Sequence, residues 1–96
     1  MSLLEFLDEI FKESFSNIGI ETNGRLVKLS DRPDLSQFQC NVAFEKAKEL
    51  RKNPREIAER VVEELRRHSI FKDVSVAGPG FINITLTNEF LTKHIE

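Results

Sequence analysis

The chain has 96 residues, of which 40% are hydrophobic and 31% are charged, and its formal net charge is −2. This length suits one domain spanning residues 1–96, and it is too short for a catalytic domain with a separate cofactor module. No apolar run approaches the roughly 20 residues that a membrane-spanning helix needs, and the acidic start lacks the basic region of a signal peptide. We therefore expect a cytoplasmic protein with no membrane partner.

The distribution of charge and of metal-binding side chains narrows the function further. Residues 1–22 carry five acidic side chains against one lysine, whereas residues 23–67 carry eleven basic and eight acidic side chains. This asymmetry is modest, so a nucleic-acid contact would have to be secondary to a stronger contact elsewhere, and DNA is not an expected partner. The lone Cys40 excludes an internal disulfide, and with two histidines it gives no metal-ligand set.

Apolar residues at three- and four-residue spacing open the chain and predict an amphipathic helix over residues 3–18. A turn at Gly24 then precedes a short strand at residues 25–29. Residues 30–34 are rich in turn formers and predict a loop. A brief second strand is expected at residues 37–40.

Two more helices are predicted in the middle of the chain. The first begins near Asn41 and has one apolar face. The second has a clear start, with Asn53 as the N-cap, Pro54 at the first helical position and Glu56 placed to close a capping box. Its buried stripe is expected to comprise Ile57, Ala58, Val61, Val62 and Leu65.

A Gly-Pro-Gly sequence at residues 78–80 predicts a tight reversal between two strands. Proline fixes its own φ, and the flanking glycines can take a positive φ. Residues 73–76 and 81–86 both alternate with a period of two, so they are expected to form an antiparallel pair. A last helix over residues 89–95 should be capped by Thr87 or Asn88.

The order helix, strand, strand, helix, helix, strand, strand, helix predicts an α+β fold. We expect a two-layer sandwich in which a small antiparallel sheet of about four strands packs against about four helices. The order of the strands within the sheet cannot be read from this pattern.

The last strand has one apolar face, formed by Ile82, Ile84 and Leu86, and one more polar face that includes Phe81 and Asn83. An aromatic ring beside an amide on that face could receive a nucleotide base. Alternatively, Phe81 packs beneath a helix or folds over the turn.

Three motifs stand out. Residues 32–41 read Arg-Pro-Asp-Leu-Ser-Gln-Phe-Gln-Cys-Asn, residues 53–58 read Asn-Pro-Arg-Glu-Ile-Ala, and residues 76–83 read Val-Ala-Gly-Pro-Gly-Phe-Ile-Asn. In order and spacing they closely resemble the amino-terminal additional domain of arginyl-tRNA synthetases, over residues 5–96. The usual first motif has Gly-Asp-Tyr-Gln and then an Asn two residues further on. Here Ser36 and Gln37 replace the Gly and the Asp, while Asn41 is retained.

The resemblance implies a role in recognising tRNA. In that family the domain precedes the catalytic domain of the same polypeptide and reaches the D-loop, at the outer corner of the tRNA for arginine. The parent enzyme uses ATP, with magnesium, to activate arginine and attach it to tRNA. The catalytic signatures His-Ile-Gly-His and Lys-Met-Ser-Lys-Ser are absent from this chain. By itself it is therefore expected to catalyse nothing and to need no cofactor.

The expected RNA contacts lie in the first and third motifs. Arg32 can hold a phosphate, Leu35 can support a base face, and the Gln37 amide can pair with a base edge. Phe38 could instead anchor the loop in the core, and Asn41 could cap a helix. The full set of candidate tRNA-binding residues is Arg32, Leu35, Gln37, Phe38, Gln39, Asn41, Phe81 and Asn83.

Two other functions are alternatives to tRNA recognition. The chain could be a protein-interaction module whose exposed phenylalanines dock a partner without any RNA contact. A stand-alone enzyme has less support, because no paired carboxylates or nucleophile–base pair can be argued from spacing. The interleaved charges of residues 45–67 predict a solvated face with i,i+4 ion pairs, so we expect little from Arg55.

Overall fold

The computed structural model describes residues 2–31 and 36–95, the last two of these by their backbone alone. The candidate contacts Arg32 and Leu35 therefore lie outside the described residues. The elements, in chain order, are α1 (Leu3–Asn17), β1 (Lys28–Leu29), β2 (Phe38–Cys40), α2 (Val42–Leu50), α3 (Pro54–Leu65), β3 (Phe71–Ala77), β4 (Phe81–Leu86) and α4 (Asn88–Ile95). This order and the α+β class confirm the prediction.

The four strands form one sheet in the order β1-β2-β4-β3, and every neighbouring pair is antiparallel. The predicted hairpin is formed by β3 and β4, joined by residues 78–80. Strand β2 lies on the other side of β4, so β4 is a central strand and β3 is an edge strand.

The core lies between the helices and one face of the sheet. Ile82, Ile84 and Leu86 are fully buried, while the alternate residues of β4 stay partly exposed. They join one cluster with helical side chains such as Phe11 and Phe15 of α1. All five residues of the predicted α3 stripe are buried. Each large apolar side chain contributes roughly 1.5–3 kcal/mol through burial, which explains why the helices cover this face.

Polar caps set the ends of three helices. Ser2 and Glu5 form a complete capping box at the start of α1. At α3, the Asn53 side chain accepts hydrogen bonds from two backbone N–H groups, and among the described contacts only this half of the predicted box is present. Thr87 caps α4 by accepting from the N–H of Phe90 at 3.1 Å, as one of the two predicted alternatives. None of the helices described here is long and apolar enough to cross a bilayer.

The strand predicted at residues 25–29 is wrong for its first three residues. Asp8 Oδ1 accepts hydrogen bonds from the N–H groups of Leu26, at 3.0 Å, and Val27, at 2.8 Å. The Arg25 guanidinium lies 3.7 Å from the other carboxylate oxygen. Because α1 satisfies these backbone donors, pairing with β2 starts only at Lys28.

Replacing Asp8 should therefore destabilise the chain. Asp8→Ala leaves two buried N–H groups without an acceptor, and we expect the free energy of unfolding to fall by about 2–4 kcal/mol. Asp8→Asn keeps an acceptor oxygen and should lose less. Urea unfolding of the 96-residue chain measures both, with the exposed neighbour Glu9→Ala as the control. Equal stability of Asp8→Ala and Glu9→Ala would contradict this prediction.

Candidate nucleic-acid interface

The face of the sheet that the helices leave open carries a continuous row of polar side chains. Lys28 pairs with Gln39, Gln39 pairs with Asn83, and Asn83 pairs with Ser75. Directly paired residues of antiparallel strands project from the same face, with Cβ atoms about 4.5–5.5 Å apart. These four residues, which we call the polar row, therefore cross all four strands side by side.

The polar row can both donate and accept hydrogen bonds. Lys28 and Ser75 at its ends are exposed, and Gln39 and Asn83 in the middle are half-buried. Each amide has two N–H donors and one carbonyl acceptor, which is the combination needed to pair with a base edge. Lys28 adds a positive charge at one end.

An aromatic cluster adjoins the row. Phe81 lies two residues before Asn83 on the same strand, so both belong to the same face. Its ring meets that of Phe44 of α2 edge-on, with centroids 5.7 Å apart and an interplanar angle of 77°. Lys48 Nζ lies 4.6 Å from the centroid of the Phe44 ring. We call Phe44, Lys48 and Phe81 the aromatic corner.

Phe81 has contacts of the kind that the alternative interpretation expected. Besides the ring of Phe44, it lies close to the turn: a Cβ built on Gly78 would be 3.7 Å from its Cδ2 atom. The side chain nevertheless remains partly exposed. One side of the ring is thus held by the protein, and part of it is open to solvent.

The turn before Phe81 is seated on the start of α3. Gly78 and Gly80 have φ values of +55° and +108°, as predicted for the glycines beside Pro79. A Cβ on Gly80 would lie only 2.8 Å from the carbonyl oxygen of Pro54. The motif at residues 53–58 and the motif at residues 76–83 are therefore in direct contact.

The prediction of a merely solvated charged face at residues 45–67 is incomplete for two arginines, which are exposed but also bind the backbone of the hairpin. Arg55 Nη1 donates to the Gly78 carbonyl oxygen at 2.6 Å, and Arg66 Nη2 donates to that of Val74 at 3.3 Å. Sequence spacing missed these bonds because their acceptors lie on the hairpin. Elsewhere in residues 45–67, the ion pairs described have i,i+3 spacing instead of the predicted i,i+4: Lys46 with Glu49 and Arg67 with Glu64.

The candidate residues of the first motif fall in different places. Gln37 Oε1 accepts a hydrogen bond from the N–H of Leu86 at 2.9 Å, so this amide helps to hold β4. Phe38 is 6% exposed and belongs to the core. Asn41 occupies the N-cap position of α2 without a capping hydrogen bond from its side chain, and its buried Oδ1 has no described partner. Among the described residues of this motif, 36–41, Gln39 alone is placed in the polar row.

The reactive side chains that the structure describes outside this interface include one cysteine. Burial raises the pKa of the Cys40 thiol to about 12, which keeps it protonated. The described side chains include no cluster of three or more His, Cys, Asp or Glu residues that could hold a metal ion.

Sequence reasoning missed four members of the interface: Lys28, Ser75, Phe44 and Lys48. The register of the sheet brings the first two beside the amides, and no local pattern reports register between distant strands. The pair Phe44 and Lys48 has i,i+4 spacing on α2, which is a detectable signal for neighbouring side chains.

A family model described as the arginyl tRNA synthetase N terminal domain matches residues 5–86. The chain therefore belongs to this family of synthetase domains, as its three motifs predicted. Arginine–tRNA ligases from Alkaliphilus oremlandii and Hyphomonas neptunium are 40% and 39% identical to it over 90 and 95 residues. These alignments cover 94% and 99% of the chain but only 15% and 16% of the two relatives.

Solved structures agree with this assignment. Thermus thermophilus arginyl-tRNA synthetase matches 95% of the chain with a TM-score of 0.77 and 26% identity, using 15% of its own length. Arginyl-tRNA synthetase from Plasmodium falciparum matches 97% of the chain with a TM-score of 0.81, using 17% of its length. At 20% identity the second match supports the fold alone.

The close contact between Gly80 and Pro54 predicts that two glycine substitutions will lower the free energy of unfolding by different amounts. Gly80→Ala would place a Cβ against backbone at a strongly positive φ, so the free energy of unfolding should fall by about 3 kcal/mol or more. Gly24 also has a positive φ, of +75°, but a Cβ there meets nothing within 4 Å. Gly24→Ala should therefore cost about 1–2 kcal/mol. Urea unfolding compares the two, and equal losses would show that the contact with Pro54 is unimportant.

Proposed function

We propose that this chain is the tRNA-contacting N-terminal domain of an arginine–tRNA ligase. Its family membership supports the class of protein. The polar row beside the aromatic corner is the observation that supports a contact with RNA. The parent enzyme would use ATP with magnesium to attach arginine to its tRNA in the cytoplasm. A catalytic domain elsewhere in the same polypeptide would perform that chemistry.

The open face suits an unpaired base better than a duplex. A base edge can pair with the Gln39 and Asn83 amides while its face rests near the exposed part of Phe81. Unpaired bases of this kind occur in tRNA loops, and the D-loop at the outer corner is the site that the family resemblance implies. Lys28 and Lys48 flank the face and can approach the neighbouring phosphates.

The remaining candidate residues are proposed to contact RNA from the first motif or to hold the elements that do. Arg32 and Leu35, in the connection between β1 and β2, are proposed as a phosphate contact and a support for the base. Gln37 has one oxygen engaged by Leu86, so its NH₂ group is the part offered to RNA. Phe38 would act from the core, by anchoring the connection, and Asn41 by fixing the start of α2 next to Phe44.

The sharpest test replaces Asn83 in the full-length enzyme. Asn83→Ala removes one base-pairing amide from the open face, and we expect KM for tRNA to rise by roughly 5- to 150-fold, by analogy with base-edge contacts worth about 1–3 kcal/mol. KM for arginine and for ATP should not change. Asn23→Ala is the matched control, because Asn23 is an exposed amide outside the interface. Gln37→Ala is less suitable, since it also removes the acceptor for Leu86.

Kinetics with a tRNA whose D-loop bases are altered test whether Asn83 contacts the D-loop. If Asn83 reads the D-loop, the variant and the altered tRNA should be non-additive in a double-mutant cycle. Additive effects would contradict the D-loop assignment while keeping a tRNA contact. Unchanged tRNA kinetics in a folded Asn83→Ala, Gln39→Ala double variant would refute RNA binding by this face and favour the docking role.

Binding of tRNA by the 96-residue chain alone should be weak. The net charge is −2, and the three proposed phosphate contacts release few counterions, so affinity should depend only shallowly on salt. We expect a dissociation constant above the micromolar range near physiological salt, measurable by filter binding or fluorescence titration. Submicromolar binding with a steep salt dependence would instead indicate a basic surface.

A further inference from the structure

Arg55 makes a hydrogen bond that joins two of the three family motifs. Its Nη1 atom lies 2.6 Å from the carbonyl oxygen of Gly78, although the side chain is at the surface. A guanidinium donor makes this bond charge-assisted and short. Arg55 thereby links the first turn of α3 to the turn that precedes Phe81.

The turn at residues 78–80, which Arg55 holds, sets the position of the first residue of β4 and of the side chains proposed to face RNA. Gly80 rests against the carbonyl of Pro54, which blocks movement of the turn toward α3. This steric contact does not prevent movement away from the helix. The hydrogen bond from Arg55 to Gly78 opposes that movement, and Phe81 follows immediately.

We propose that Arg55 is a positioning residue for tRNA binding, which rests on the proposed function of the open face. By holding the Gly78 carbonyl, it fixes the start of β4 and with it the geometry of Phe81 and Asn83. The aromatic corner and the Asn83 amide are then preorganised for an incoming base, which lowers the entropic cost of binding.

The surroundings of Arg55 favour this role over direct contact with a phosphate. Arg55 lines a groove of about 370 Å³ between α3 and β3, together with Glu59 and Glu63. These glutamates lie four and eight residues further along α3, on the same helix face, and both are exposed. Arg66 lines the same groove, so its two arginines and two glutamates carry no net charge to attract a phosphate chain, and the bond to Gly78 favours action through the turn.

Kinetics of the full-length enzyme separate the two roles. Arg55→Ala should raise KM for tRNA by about 3- to 10-fold without changing kcat, and Arg55→Lys, which keeps a donor, should recover part of the loss. The slope of log Kd against log salt should stay the same, whereas a lost phosphate contact would reduce it by about 1. Arg60→Ala, at an exposed arginine of the same helix, is the matched control.

Amide NMR of the 96-residue chain tests positioning without any RNA. Arg55→Ala should shift the signals of Gly78, Gly80 and Phe81, and Arg60→Ala should leave them in place. Unmoved signals, or a reduced salt slope, would overturn the inference. If the signals move and Phe81→Ala raises KM for tRNA while Arg55→Ala does not, the inference fails and the proposed function stands. If none of these variants changes tRNA kinetics, both fail.

Discussion

The turn at residues 78–80 approaches the start of α3 so closely that no side chain fits between them. Gly80 must lack a Cβ because the Pro54 carbonyl occupies that space, and Pro54 must start the helix because Asn53 caps it there. This contact brings α3 to the β3–β4 hairpin, so its apolar stripe lies over Ile82 and Ile84 in one cluster. The position of the turn relative to α3, and so the point at which β4 begins, depends on this contact.

The division of the sheet into a covered and an open face follows from the period of its strands. Every apolar residue of β4 that faces the helices is matched by a more polar neighbour on the other side. The open face is not strongly charged: Lys28 is the charged member of the polar row, and Asp73, which pairs with Thr85 on the same face, carries the opposite charge. The RNA recognition proposed for this face would depend on hydrogen bonds and ring contact, which give selectivity, more than on the electrostatic attraction that gives tight binding.

Local signals in the sequence were sufficient for most of the fold. The cap at Asn53, the α3 stripe and the Gly-Pro-Gly turn each act within a few residues and were predicted, and Thr87 was one of two predicted caps for α4. Failures occurred where distant residues meet: Asp8 shortens β1 from 18 and 19 residues away, and Arg55 reaches Gly78 across 23 residues. The polar row was only partly predictable for the same reason. Gln39 and Asn83 were identified individually, by family resemblance and by alternation, but their pairing with Lys28 and Ser75 required the register of the sheet.

Arg66 affects the ability of the sheet's edge strand to pair with a strand from another molecule. Strand β3 lies at an edge and is seven residues long, a length that ordinarily invites a further strand from another molecule. The guanidinium of Arg66 donates a hydrogen bond to the carbonyl oxygen of Val74, the residue at the middle of that edge strand. At the opposite edge β1 has two residues, too few to template a partner strand. Neither border therefore offers a long row of free backbone groups to a strand from another molecule, which lowers the tendency to aggregate edge to edge.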